Sequence, residues 1–211
     1  MAEKDRIVHL VDDDEAIRRS ASFMLRTSGF VVKTYPSGLE LLKDAKGLAR
    51  GCILLDVRMP GMDGLEVQRT LKERGILLPV IVMTGHGDVN VAVQAMKVGA
   101  VDFIEKPFEK SVLLSAIDEG FARLDQARRS KARGDEARVR LEALTSREHD
   151  VLQGLVRGHP NKTIAYDLGI SPRTVEIHRA NLMTKLDVAS LSEALRIAFA
   201  AGLGDEENPS A

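Results

Sequence analysis

From Arg6 to about Ala122, short apolar runs alternate with stretches whose apolar residues recur at helical spacing. The runs are Ile7–Val11, Val31–Tyr35, Ile53–Leu55, Val80–Met83 and Val101–Ile104. Helical spacing is carried by Ala16, Ile17, Ser20, Met24 and Leu25, then by Leu39–Leu42, Leu65–Leu71, Val89–Val98 and Val112–Leu124. This rhythm predicts five strands and five helices in a βα series, which a parallel sheet with right-handed crossovers accommodates as a doubly wound α/β layer structure. The expected domain spans residues 1–124.

Near Asp125 the period fades. Asp125 to Arg138 is almost wholly charged or small, so residues 125–143 are expected to form a helical linker. Either Gly134 breaks it, or it continues the fifth helix as a solvated rod, since Ala, Arg, Gln, Glu and Lys are good helix formers. After Leu144 no β-branched strand run occurs, and helical segments are punctuated by Gly158, Pro160, Gly169, Pro172 and Gly202. A small all-α domain over 144–203 is therefore expected. The acidic end, residues 204–211, lacks apolar anchors and reads as a disordered tail.

Composition narrows the class of protein without choosing a function. With 44% hydrophobic and 29% charged residues the chain can pack a core, unlike a disordered polyelectrolyte. No stretch approaches the roughly 18 apolar residues of a membrane span, so a cytoplasmic protein without membrane contact is expected. Cys52, the only cysteine, excludes an internal disulfide, and its setting in Cys52-Ile53-Leu54-Leu55 reads as a buried strand position. A net charge of −1 decides nothing about nucleic acid, so charge placement must.

The chemistry concentrates at the strand ends. The first strand ends in Val11-Asp12-Asp13-Asp14 and the third in Leu55-Asp56-Val57-Arg58-Met59-Pro60-Gly61. A flavodoxin-like (βα)5 arrangement brings neighbouring strand C-termini to one edge, so Asp12, Asp13 and Asp56 should crowd together. Carboxylates a few Å apart repel one another and call for a cation. Hard oxygen ligands suit magnesium, which would also neutralise an incoming phosphoryl group. Taken singly, each aspartate could do no more than cap a helix. The same edge receives Thr84 and Gly85 after the fourth strand and Glu105-Lys106-Pro107 after the fifth. A hydroxyl and an ammonium there suit phosphoryl oxygens.

These residues resemble the receiver domain of two-component response regulators over essentially all of 5–124. The resemblance implies that Asp56 takes a phosphoryl group from a sensor histidine kinase. It implies a magnesium ion held by Asp12, Asp13, Asp56 and the carbonyl oxygen of Arg58, and an often cis Lys106-Pro107 bond. Thr84 and Lys106 then bind the phosphoryl group, and Phe103 stands where receivers carry a switching aromatic. The words Thr84-Gly85-His86-Gly87-Asp88-Val89 and Val101-Asp102-Phe103-Ile104-Glu105-Lys106-Pro107-Phe108 resemble more narrowly the FixJ-related regulators. His86 is read as a loop residue without catalytic assignment. An enzyme acting through an aspartyl-phosphate is the competing reading, disfavoured because haloacid-dehalogenase-like hydrolases carry a second Asp where Arg58 stands. A receiver locked in one state is a third reading.

In the second half, Thr145 followed by Glu148 forms a capping-box signature. A short helix from Asn161 to Leu168, a turn at Gly169-Ile170-Ser171 and a third helix opening at Pro172 with Ser171 as cap make a helix-turn-helix pattern. On the third helix Val175, Leu182 and Leu186 share a core-facing stripe, while Arg173, Ile177, Ala180 and Thr184 fall opposite. Apolar Ile177 and Ala180 on an exposed stripe suit thymine methyls, and Glu176 beside them can accept from cytosine. Lys162, Arg173, Arg179 and Lys185 are candidate phosphate contacts. From Leu144 to Leu203 seven basic residues face six acidic ones, so modest affinity per monomer and reliance on a dimer are expected.

The words Leu144-Thr145-Ser146-Arg147-Glu148, Asn161-Lys162-Thr163-Ile164-Ala165 and Ser171-Pro172-Arg173-Thr174-Val175-Glu176-Ile177-His178-Arg179-Ala180-Asn181 are similar to the LuxR-type domain of NarL and FixJ regulators. That implies double-stranded DNA as a partner, base-reading roles for Glu176, Ile177 and Ala180 within a DNA-contacting set that includes Thr174, and a last helix from Ser190 to Ala201 that pairs two domains. Ala180 stands where some relatives carry a basic residue. The combined expectation is a non-enzymatic transcription regulator, acting with RNA polymerase and most simply an activator. Phosphorylation at Asp56 is expected to drive homodimerisation and DNA binding.

Overall fold

A computed structural model of the chain describes residues 6–85 and 89–204. The chain divides into two compact units, the first ending at Gln126 and the second beginning at Ala127.

In the first unit the strands are β1 (Ile7–Val11), β2 (Val31–Tyr35), β3 (Gly51–Asp56), β4 (Val80–Thr84) and β5 (Asp102–Glu105). They pair in parallel in the order β2-β1-β3-β4-β5, the flavodoxin-like doubly wound topology. Every residue of β3 and β4 is buried, as central strands covered on both faces must be. The helices α1 (Glu15–Arg26), α2 (Gly38–Lys43), α3 (Gly64–Glu73) and α4 (Val89–Val98) follow β1 to β4, and α5 (Lys110–Leu141) follows β5. The apolar alternation of the strands feeds two cores. One joins Ile53, Leu55 and Val82 to Leu41, Val67, Leu71 and Ala95 of α2, α3 and α4. The other joins Leu10, Leu54, Ile81 and Met83 to Leu25, Leu113 and Ile117 of α1 and α5. Cys52 is fully buried in the second core, and burial pushes its thiol up to about 12. A fifth strand at 102–105 instead of 101–104 is a one-residue shift.

The stretch expected as a linker does not break at Gly134: α5 is continuous to Leu141. Its last turns are not a solvated rod either. Gly134, Ala137 and Leu141 are buried, and Leu141 belongs to the second unit's core. A Cβ on Gly134 would stand 3.1 Å from the Ala200 carbonyl oxygen, so the small residue permits close helix packing there.

The second unit adds α6 (Ser146–Val156), α7 (Asn161–Leu168), α8 (Pro172–Lys185) and α9 (Leu191–Ala200). Thr145 and Glu148 form the expected capping box on α6. Gly169, at φ 65°, ends α7 in the left-handed conformation, which lets the chain turn into α8, capped by Ser171 with Pro172 in its first turn. Val175, Leu182 and Leu186 are fully buried beside Val151, Leu152, Ile164 and Ala194. The expectations for His86 and for the tail beyond Gly204 lie outside the described residues.

Candidate functional site

Strand register assembles the acidic pocket. Val11 pairs with Leu55, so the next residues of β1 and β3, Asp12 and Asp56, come level at the C-terminal edge. Asp56 in turn pairs with Met83 and Thr84 with Glu105, which sets Thr84 and Lys106 at the same edge. The Lys106 N–H donates to the Thr84 carbonyl at 2.8 Å, and the Lys106-Pro107 bond is cis.

Lys106 Nζ lies 2.6 Å from Asp12 Oδ2 and 2.8 Å from Asp56 Oδ1. Asp12, Asp13 and Asp56 each offer a carboxylate oxygen within 4.8 Å of the others, with Asp12 and Asp56 buried and Asp13 exposed. Two buried carboxylates and one that reaches water form an oxygen-rich cup, a donor set that fits a hard divalent ion. Burial raises the Asp56 carboxyl above its usual value; Lys106 opposes that, while Asp12 and Asp13 add to it. Burial works against the Lys106 charge, but the hydrogen bonds and negative charges of Asp12 and Asp56 together outweigh it and raise the ammonium above its usual value. Thr84 is buried at the end of β4. Phe103 is 41% exposed and lines, with Thr84, Ala92, Val93 and Met96, a groove of about 470 Å³ between α4 and β5.

Of the three consecutive aspartates only Asp14 acts as a helix cap, accepting from the Ala16 and Ile17 N–H groups while its own N–H donates to Asp12 Oδ1 at 2.9 Å. Two supports were missed in the sequence. Arg18 donates to the Asp12 carbonyl at 2.6 Å. Gly64 opens α3 so close to β3 that a Cβ there would stand 2.3 Å from the Asp56 carbonyl oxygen. Helical spacing from Asp14 to Arg18 could have suggested the first; no sequence signal points to the second.

On α8, Arg173, Glu176, Ile177 and Ala180 are exposed, Ile177 by 54%. Thr174 is half-buried and shares a hydrogen bond with Ser171 at 2.8 Å, which holds it at the helix start. Lys162 is exposed on α7, and Arg179 donates to Asn161 Oδ1 at 2.8 Å, tying α8 to α7. Lys185 has a partner within the unit. Its partly exposed ammonium lies 2.7 Å from the buried Glu148 carboxylate, an ion pair that ties the end of α8 to α6. Burial opposes ionisation of Glu148, yet hydrogen bonds from Lys185 and Thr145, with the Lys185 charge, together outweigh it and hold the carboxyl below its usual value. Arg140 donates to the Leu186 carbonyl, a further tie at the end of α8.

Residues 8–118 match the response regulator receiver domain, and residues 142–198 match the luxR family of bacterial regulatory proteins. The chain belongs to the FixJ-type response regulators, which join a receiver to a LuxR-type DNA-binding domain, and it is a two-component transcription regulator. It is 50% identical over 202 residues to the transcriptional regulatory protein FixJ of Azorhizobium caulinodans, covering 95% of each chain. To FixJ of Rhizobium meliloti it is 49% identical over 200 residues, covering 95% of this chain and 98% of the relative. Among solved structures, full-length FixJ from B. japonicum aligns with TM-score 0.60 at 44% identity, covering 93% of this chain and 97% of that one. The response regulator StyR aligns with TM-score 0.70 at 39% identity, covering 92% and 98%. Among the described residues no helix is long and apolar enough to cross a membrane.

Proposed function

We propose that Asp56 is the phosphoryl acceptor. Its carboxylate oxygen attacks the phosphorus of a sensor kinase's phosphohistidine, the P–N bond breaks and the imidazole leaves. The observation that carries this is the Lys106 ammonium held between Asp12 and Asp56 with Asp13 alongside. Asp12, Asp13 and Asp56, with the Arg58 carbonyl, would hold a magnesium ion, which when bound neutralises charge on the phosphoryl group. Lys106 then exchanges its contact with Asp56 for a phosphoryl oxygen, and Thr84 donates its hydroxyl to another.

The aspartyl-phosphate adds up to about two negative charges at the inner end of the groove that Thr84 and Phe103 line. Movement of Thr84 and Phe103 reshapes the exposed apolar face of Val93, Met96 and Phe103, which pairs two copies. A full swing from off to on needs roughly 5.5 kcal/mol, to which dimerisation contributes. In the dimer two α8 helices read successive major grooves. Ile177 and Ala180 meet thymine methyls, Glu176 meets cytosine, and Lys162, Arg173, Thr174 and Arg179 contact backbone or base edges. The regulator acts in the cytoplasm and meets RNA polymerase at its promoters, most simply as an activator, with no enzymatic turnover of its own. The test compares wild type with Asp56→Asn by size exclusion and duplex binding after treatment with a small phosphodonor and Mg²⁺. Wild type shifts to dimer and tighter binding; identical behaviour of the two overturns the switch.

A further inference from the structure

The recognition half is short of free positive charge: seven basic residues face six acidic ones from Leu144 to Leu203, and Lys185 is committed to Glu148. The surplus lies just upstream in the same unit. Arg128, Arg129, Lys131 and Arg133 fall within six residues of α5 that contain no acid, and all four are exposed. None of them forms an ion pair among the described residues. The acids that flank them are occupied: Asp125 pairs with Arg50 at 2.9 Å and Asp135 with Arg138 at 3.3 Å. Glu136, three residues beyond Arg133, is left to oppose four cations.

Helix geometry sets their direction. At about 100° per residue, Gly134, Ala137 and Leu141 cluster on one side of α5, and the four cations spread over an arc centred roughly opposite. The buried stripe faces the second unit's core, so Arg128 and Arg129 point away from it while Lys131 and Arg133 flank it. Leaving four such side chains unpaired gains no folding energy. Four unpaired cations within roughly 9 Å of helix length form a dense positive patch, complementary in sign to a duplex backbone.

We infer that Arg128, Arg129, Lys131 and Arg133 form a second, sequence-independent contact surface for the DNA phosphate backbone, supplementing α8. The inference rests on the DNA-binding reading of the second unit.

The test measures binding of the full chain, treated with a small phosphodonor and Mg²⁺, to a fluorescently labelled mixed-sequence duplex of about 40 base pairs, long enough to extend beyond one recognition site, as salt is varied. The variant carries Arg128→Gln, Arg129→Gln, Lys131→Gln and Arg133→Gln, which keep helix propensity. Each lost phosphate contact flattens the logarithmic salt slope by about 0.9. A threefold rise in salt therefore weakens wild type more than the variant by about 7-fold if two of these cations in the bound complex engage DNA and by about 50-fold if four do. The double variant Arg128→Gln/Arg129→Gln should fall between, and thermal melting checks that the fold is retained. A quadruple variant with the wild-type slope overturns the basic strip alone. A wild type that binds no duplex overturns the DNA-binding reading itself.

Discussion

Each unit buries a carboxylate against a lysine, and the two pairs do opposite work. In the receiver, burial raises the Asp56 carboxyl despite Lys106, so the charge is held at a cost. In the DNA-binding unit, Lys185 and the capping box hold the Glu148 carboxyl below its usual value, so the charge contributes to stability. The difference lies in the company each carboxylate keeps. Asp56 shares its edge with two further aspartates, whereas Glu148 meets the Lys185 ammonium and the Thr145 backbone N–H. A disfavoured buried charge therefore sits at the proposed phosphoryl acceptor in one unit, and a favoured one ties helices together in the other.

The largest effect expected from probing this contrast is at Gly64. In Gly64→Ala the new methyl meets the Asp56 carbonyl, and the receiver should lose about 3 kcal/mol, read by denaturant unfolding. Glu148→Gln comes next: it removes the ion pair with Lys185 and weakens the α6 cap, costing the second unit about 2 kcal/mol, read as a drop in its melting transition. Because half-exposed Lys185 can return to water, the loss stays below that of a fully buried pair. Metal ranks third. Mg²⁺ at about ten times its dissociation constant should stabilise the receiver by about 1.4 kcal/mol, and Asp13→Asn should reduce that gain sharply.

The smallest effects separate the pairs by sign. Asp56→Asn, by removing a disfavoured charge, should raise the receiver's melting temperature in metal-free buffer, while Glu148→Gln lowers that of its own unit. The pH dependence follows. The Glu148 contribution is complete above its unfolded value of 4.5 and is lost as pH falls through its lower folded value. The Asp56 penalty runs the other way: stability falls as pH rises from 3.8 through its raised folded value, then levels off. Calorimetry across the acid range should show the two transitions shifting in opposite directions as pH falls.

Much of this was legible in the residue order. Strand ends could be read because β3 and β4 are continuous apolar runs that stop at Asp56 and Thr84, and parallel topology forces such ends together. The stripe of Val175, Leu182 and Leu186 followed from helical period alone. The Lys185–Glu148 ion pair was not legible, because only the packing of α6 on α8 brings Glu148 beneath Lys185. The end of α5 was missed for a related reason. A stripe of Gly134, Ala137 and Leu141 carries too little hydrophobicity to stand out among ten surrounding charges and small residues, yet small side chains permit the closest helix approach. The Gly64 contact depends on how α3 leaves the sheet, which no local pattern encodes.

The most direct test of the central claim is to locate a covalent phosphoryl group by mass spectrometry after exposure to a small phosphodonor with Mg²⁺. Wild type should gain one group, carried on the peptide that contains Asp56, and Asp56→Asn should gain none. Label on another residue, or equal label on the variant, would contradict the account.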